Sequence, residues 1–187
     1  VPLQRCERAL GGFIMRAFHL ISASLLFTMA ACSPPAASTA EAQTGDVSVA
    51  ERTAILSAVS LQANAQGTVE NECGERVTPQ YLVTDLGPGV GRAVALVMEG
   101  GPNTAACYGD GPLVQLMQSH GGAWRQVYMN RGGPMVVLST QHNGANDLAD
   151  GGPGFSFPVW EWNGNEYVNA NRTVADSALG DARYVPN

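Results

Sequence analysis

The sequence predicts a mostly β fold of antiparallel hairpins, with one helix at the start of the folded part. Three observations carry this. From residue 78 onward, short runs rich in Val, Leu, Tyr and Trp alternate with clusters of Gly, Pro, Asn and Asp. The separators are hairpin-sized, which favours strands that return beside their predecessors. Ahead of them, Ser48-Val-Ala-Glu51 opens a stretch free of Gly and Pro.

Taken in order, Ser48 and Glu51 have the spacing of a capping box, so a helix is expected over 48–64, ended by the segment 64–67. Its apolar positions, Ile55, Leu56, Ala58 and Val59, form a rough stripe suited to packing on a core. Strands are expected at 78–85, 92–98, 113–118, 124–129, 135–140, 155–162 and 166–171. The connections between them are 87–91, 100–102, 109–112, 121–122, 131–134, 143–153 and 163–165. Asn163-Gly164, between Trp162 and Tyr167, is the clearest hairpin signal, and Gly122-Ala123 marks a second.

The first 46 residues are of another kind. Met15-Arg16 is followed over 17–31 by a run with no Asp, Glu, Lys or Arg, which ends in Met29-Ala30-Ala31-Cys32. About 20 apolar residues are needed to span a bilayer, so this run is short and has the flanks of a secretory signal. Met29-Ala30-Ala31-Cys32 resembles the lipobox of bacterial lipoproteins. The resemblance implies that the Cys32 thiol takes a diacylglyceryl group, that residues 15–31 are removed as a signal peptide, and that the new amino terminus is acylated. Membrane attachment would then be through lipid, since two or more chains anchor stably at ~0.8 kcal/mol per buried CH₂. By analogy with lipoprotein sorting, the same resemblance implies that Ser33 after the cysteine favours the outer membrane, facing the periplasm. An ordinary signal peptide cut elsewhere and an uncleaved anchor are the alternatives. Residues 1–14 match no targeting element and are expected to be an upstream extension, with Met15 as the start. Residues 32–46 (CSPPAASTAEAQTGD) read as a flexible tether, and 47–187 as one β-rich domain.

From Cys32 onward the chain holds seven arginines, no lysine and fifteen carboxylates, a formal net charge of −8. Such a surface repels phosphate backbones, so no nucleic-acid partner is expected. Outside Cys6 and the lipobox cysteine, Cys73 and Cys107 remain. In an oxidising compartment an even pair without a C-x-x-C motif is expected to form a structural disulfide.

Two segments, YLVTDLGPGVGRAVAL at 81–96 and HNGANDLADGGPGFSF at 142–157, resemble pieces of FG-GAP or VCBS-type repeats. In those repeats a hairpin loop of Asp-x-Asn-Gly-Asp-Gly type often cradles calcium. The resemblance implies a degenerate, repeat-like sheet. Asp85 alone cannot supply the six to eight oxygens calcium takes. Asp147 and Asp150, with Asn143 and Asn146 nearby, make a calcium module one alternative, against which turn chemistry of Asn and Asp is preferred. No metal site is therefore assigned.

Nor is a cofactor or a catalytic residue assigned: the sequence has no P-loop, no H-E-x-x-H and no G-x-S-x-G elbow. An envelope hydrolase using His142 or His120, with Asp147 and a serine completing a spatial triad, is the rival to a binding module. The stretch FSFPVWEW at 155–162 is the most suggestive for binding. Alternation puts Phe155, Phe157 and Val159 on one strand face and Trp160 and Trp162 on the other, with Tyr167 across the hairpin. Burial of both faces is preferred. The alternative is an exposed platform of Trp160, Trp162 and Tyr167 for an envelope glycan or a protein partner.

Overall fold

The computed structural model describes residues 46–99 and 104–187, the last segment from residue 106 with side chains. The lipobox with Cys32, the expected signal peptide, the upstream extension and residues 32–45 of the tether lie outside the described residues.

The described chain runs α1 (Val49–Ala58), β1 (Val69–Glu70), β2 (Arg76–Val77), β3 (Gln80–Thr84), β4 (Ala93–Met98), α2 (Thr104–Tyr108), β5 (Leu113–His120), β6 (Ala123–Arg131), β7 (Met135–His142), β8 (Ala145–Asp150), β9 (Ser156–Trp162), β10 (Tyr167–Ala175), a 3₁₀ turn η1 (Asp176–Ala178) and β11 (Arg183–Val185). The mostly β class with one main helix is thus the fold observed. Every strand pair is antiparallel. The strands form a two-stranded ribbon, β1-β2, a four-stranded sheet, β3-β4-β5-β6, and a five-stranded sheet, β10-β9-β8-β7-β11.

Alternation along the strands explains the layering. In β4, Ala93, Ala95 and Val97 point into a core shared by the two large sheets, while Val94, Leu96 and Met98 point the other way. All six are buried, so this strand reads as a continuous apolar run. The shared core takes Val114, Leu116, Val127 and Tyr128 from the first sheet and Met135, Val137, Leu148, Trp162 and Tyr167 from the second. The outer face of the first sheet is covered by Ile55 and Leu56 of α1 and by Val69 and Val77 of the ribbon. On the outer face of the second sheet, Val136, Leu138, Ala149, Phe157 and Val159 pack under Leu179 of the segment after η1.

The capping box is present: Glu51 N–H donates to Ser48 Oγ and Ser48 N–H to Glu51 Oε2. The helix ends at Ala58, not near 64, because Ser60 takes a left-handed φ of 60°. Asn64 then organises a turn, its Oδ1 accepting from the N–H groups of Gln66 and Thr68. The expected connection over 143–153 contains a strand. Residues 145–150 form β8, and Asn143-Gly144, both at positive φ, make a two-residue hairpin turn from β7. The two tightest backbone approaches need glycine. A Cβ on Gly89 would strike the Asn143 carbonyl oxygen, and one on Gly133 the Gly151 carbonyl oxygen.

The expected Cys73–Cys107 bridge is formed between residues 34 positions apart in sequence, with Cα atoms 5.9 Å apart. It ties α2 to the β1-β2 ribbon. Arg131, at the end of β6, makes an ion pair with Glu72 beside it and holds that carboxyl below its ordinary range. Reducing the bridge, or replacing both cysteines by serine, is expected to remove roughly 3–4 kcal/mol of stability, from the entropy returned to the unfolded chain. Urea unfolding with and without reductant measures this.

Tyr128 and Tyr167 lie between the sheets. Burial pushes both phenols above their ordinary value, helped by the charge of Asp150 beside Tyr128 and of Asp147 near Tyr167. The folded chain therefore keeps these protons at a pH where the unfolded chain loses them. Their stabilisation is complete below about pH 10 and is lost as pH rises beyond it. Melting followed from pH 8 to 11 should show a loss beginning near 10, and Tyr128→Phe should make it shallower.

Candidate functional site

A charged cluster occupies one end of the second sheet's outer face, beside the apolar patch under Leu179. Four adjacent strands supply it: Thr140 and His142 from β7, Asp147 from β8, Glu161 from β9 and Arg172 from β10. Alternation puts His142 on the face of Val136 and Leu138, Asp147 on that of Ala149, and Glu161 on that of Val159. Both outer contributors lie at irregularities of register. The β7–β8 pairing shifts between Val137 and Gln141, and the β10–β9 pairing between Asn169 and Thr173, where Asn171 takes φ 53°. Bulges of this kind bend a strand and re-aim its side chains.

Asp147 is the centre. It is 0% exposed, and a buried carboxylate is costly unless each oxygen is satisfied. Oδ1 lies 2.7 Å from His142 Nδ1. Oδ2 accepts from Thr140 Oγ1 at 2.6 Å and from Arg172 Nη2 at 2.8 Å. Glu161 closes the far side: its Oε1 accepts from Arg172 Nε at 3.1 Å, forms an ion pair with Nη2 at 3.0 Å, and stands 3.5 Å from His142 Nε2. The imidazole thus has a carboxylate at each ring nitrogen. The side chains of His142 and Arg172 are 45% and 41% exposed, so the cluster opens to solvent on one side.

Of the residues singled out in the sequence, the structure joins His142 to Asp147, two members of the drawn triad. The third neighbour is Glu161 and not a serine. His120 stands apart on β5 in the first sheet, exposed beside the Gly121-Gly122 turn. Asp147 and Asp150 do not converge: Asp147 faces outward, whereas Asp150 faces the shared core and accepts from Tyr128 Oη at 2.6 Å. Asn143 and Asn146 donate to the carbonyls of Trp162 and Leu138. Asp85 accepts from Gly87 N–H within its own turn.

The alternation along FSFPVWEW places Phe157 and Val159 opposite Trp160 and Trp162, as expected. The face with the tryptophans is the interior one. Trp162 is 1% and Tyr167 5% exposed, their rings 5.2 Å apart, and Trp160 meets Tyr128 edge-on at 5.8 Å while its buried indole N–H finds no hydrogen-bond partner among the described residues. Trp162 and Tyr167 are therefore core, with Trp160 partly buried against them, and the three do not form an outward platform, because the second sheet packs that face against the first. Phe155, just before β9, is 93% exposed. Glu161, Arg172 and Thr140 carried no sequence signal, since they meet only through strand pairing.

No protein-family model, curated protein or solved structure matches the chain. Asp147→Ala is expected to cost about 2 kcal/mol or more, because Thr140, His142 and Arg172 lose their shared acceptor. Glu161→Gln, which keeps an acceptor at the cluster's exposed side, should cost under about 1 kcal/mol. Denaturant melts of the two variants decide this ordering.

Proposed function

We propose that the chain is a lipid-anchored cell-envelope protein whose β domain works by binding, held by acyl chains on Cys32 at the outer membrane and facing the periplasm. The lipobox residues Met29-Ala30-Ala31-Cys32 and the tether after them support the anchor. Export into an oxidising space agrees with a domain braced by the Cys73–Cys107 bridge. Among the helices of the described residues, none is long and apolar enough to cross a membrane.

One observation favours binding over hydrolysis: both nitrogens of His142 face carboxylates, Asp147 at 2.7 Å and Glu161 at 3.5 Å. A general base acting on a serine needs one nitrogen turned to the hydroxyl. The His142–Asp147 contact is the feature that favours the second reading, a hydrolase. In that reading His142 would draw a proton from water, with Arg172 beside the developing charge. The half-exposed cluster, with its acceptors and one guanidinium, supports a polar ligand, from envelope glycan or a partner protein.

The test begins with the anchor. Protein from membranes of the native host should partition into the detergent phase, and its first residue should be an acylated Cys32 by mass spectrometry. Cys32→Ala should stay unprocessed. A free Cys32 thiol, or a mature chain starting elsewhere in the soluble fraction, overturns the reading. Cross-linking in intact envelopes, with wild type compared against His142→Ala, then separates the two activities. Binding at the cluster predicts a cross-linked partner that His142→Ala loses and no turnover in the wild type, whereas a hydrolase shows turnover in the wild type that the variant loses.

A further inference from the structure

We infer that the domain binds a divalent transition-metal ion of the zinc type, with His142 Nε2 and Glu161 Oε1 as ligands and Asp147 positioning the imidazole. The inference stands on the cluster alone and is independent of the lipid anchor.

The argument starts from the buried carboxylate. Asp147 Oδ1, 2.7 Å from Nδ1, holds the ring proton on that nitrogen and leaves the Nε2 lone pair outward. A carboxylate behind a ligand histidine is the usual way a protein fixes the metal-binding tautomer. That lone pair then faces Glu161 Oε1 across 3.5 Å. The contact is satisfied either by a second proton on the ring, donated to Glu161, or by a metal ion taken up between the two atoms. With ligand bonds of about 2.1 Å and tetrahedral angles, zinc sets neighbouring N and O ligands roughly 3.4 Å apart, so the pair has the bite of one metal ion. One ligand atom from each of His142, Asp147 and Glu161 falls within a span of 4.8 Å. Imidazole nitrogen with carboxylate oxygen suits zinc and its neighbours better than calcium, which takes oxygen alone.

Arg172 is the resident competitor. Its Nε donates to Glu161 Oε1, the oxygen assigned to the metal, while Nη2 lies 3.0 Å from that oxygen and donates to Asp147 Oδ2. At 41% exposed, the guanidinium has room to release Glu161 while its Nη2 stays on Asp147 Oδ2. Two coordination positions are left for water or for a donor from a binding partner.

The experiment is calorimetric titration of the chelator-treated full chain in detergent with zinc chloride, followed by thermal melts with and without zinc. One equivalent is expected to bind and to raise the melting temperature. His142→Ala and Glu161→Gln should each weaken binding at least tenfold, and His120→Ala should leave it unchanged. Arg172→Gln should tighten it about threefold to fivefold, the worth of one half-exposed ion pair. Asp147→Asn, measured below its own melting temperature, should weaken it about tenfold through loss of the supporting charge. Glu161→Gln settles the matter even if His142→Ala unfolds, because Glu161 lies at the cluster's open side. No saturable binding overturns the assignment. So does binding that survives Glu161→Gln, binding lost in His120→Ala, or an Arg172→Gln protein that takes zinc no more tightly.

Discussion

A carboxylate sealed from solvent sets the terms for one end of the second sheet. Asp147 sits in the middle of β8 at 0% exposure, and Thr140, His142 and Arg172 must reach it from β7 and β10. A buried charge left without partners would cost several kcal/mol. The strands therefore have to pair in the register that delivers those partners. A one-residue slip of β8 would turn Asp147 into the apolar core and Leu148 outward. The polar cluster thus specifies register where the rest of the sheet relies on alternating apolar residues.

The same carboxylate explains which parts of the fold were legible in the sequence. Strands that bury apolar residues on both faces, such as β4 and β5, stand out as runs of Val, Leu and Met. Ala-Asn-Asp-Leu-Ala-Asp does not, because its polar residues are strand residues satisfied across the sheet: Asn146 donates to Leu138, and Asp150 accepts from Tyr128. Asn143-Gly144 was visible as turn chemistry, yet the strand after it was hidden by Asp and Asn. The capping box, the Cys73–Cys107 pair and the Asn163-Gly164 hairpin were legible because each depends on short-range chemistry or on elimination. Glu161 and Arg172 belong to the site through pairing across three strands, which composition and spacing do not encode.

The aromatic segment shows where period-two reasoning stops. Alternation sorts Phe157 and Val159 from Trp160 and Trp162, but it cannot say which face meets another layer. Both faces do here. The first sheet closes over the tryptophans, and the segment carrying Leu179 closes over Phe157 and Val159. The second sheet thus offers solvent its charged cluster, with Phe155 and Tyr184 as the exposed rings at its margins.

The place of β11 has a consequence for how the chain is assembled. It pairs with β7 through Val137↔Arg183, Val136↔Tyr184 and Met135↔Val185, so β7 lies 46 or more positions ahead of the strand that closes it. While the chain is being made, the hairpins from β7 to β10 can zip in order, but the free edge of β7 stays open, an invitation to pairing with another molecule. A clipped or delayed carboxyl-terminal stretch would leave that edge sticky in an otherwise folded domain. Cover for that edge falls to three residues, Arg183, Tyr184 and Val185, far in sequence from the strand they pair with.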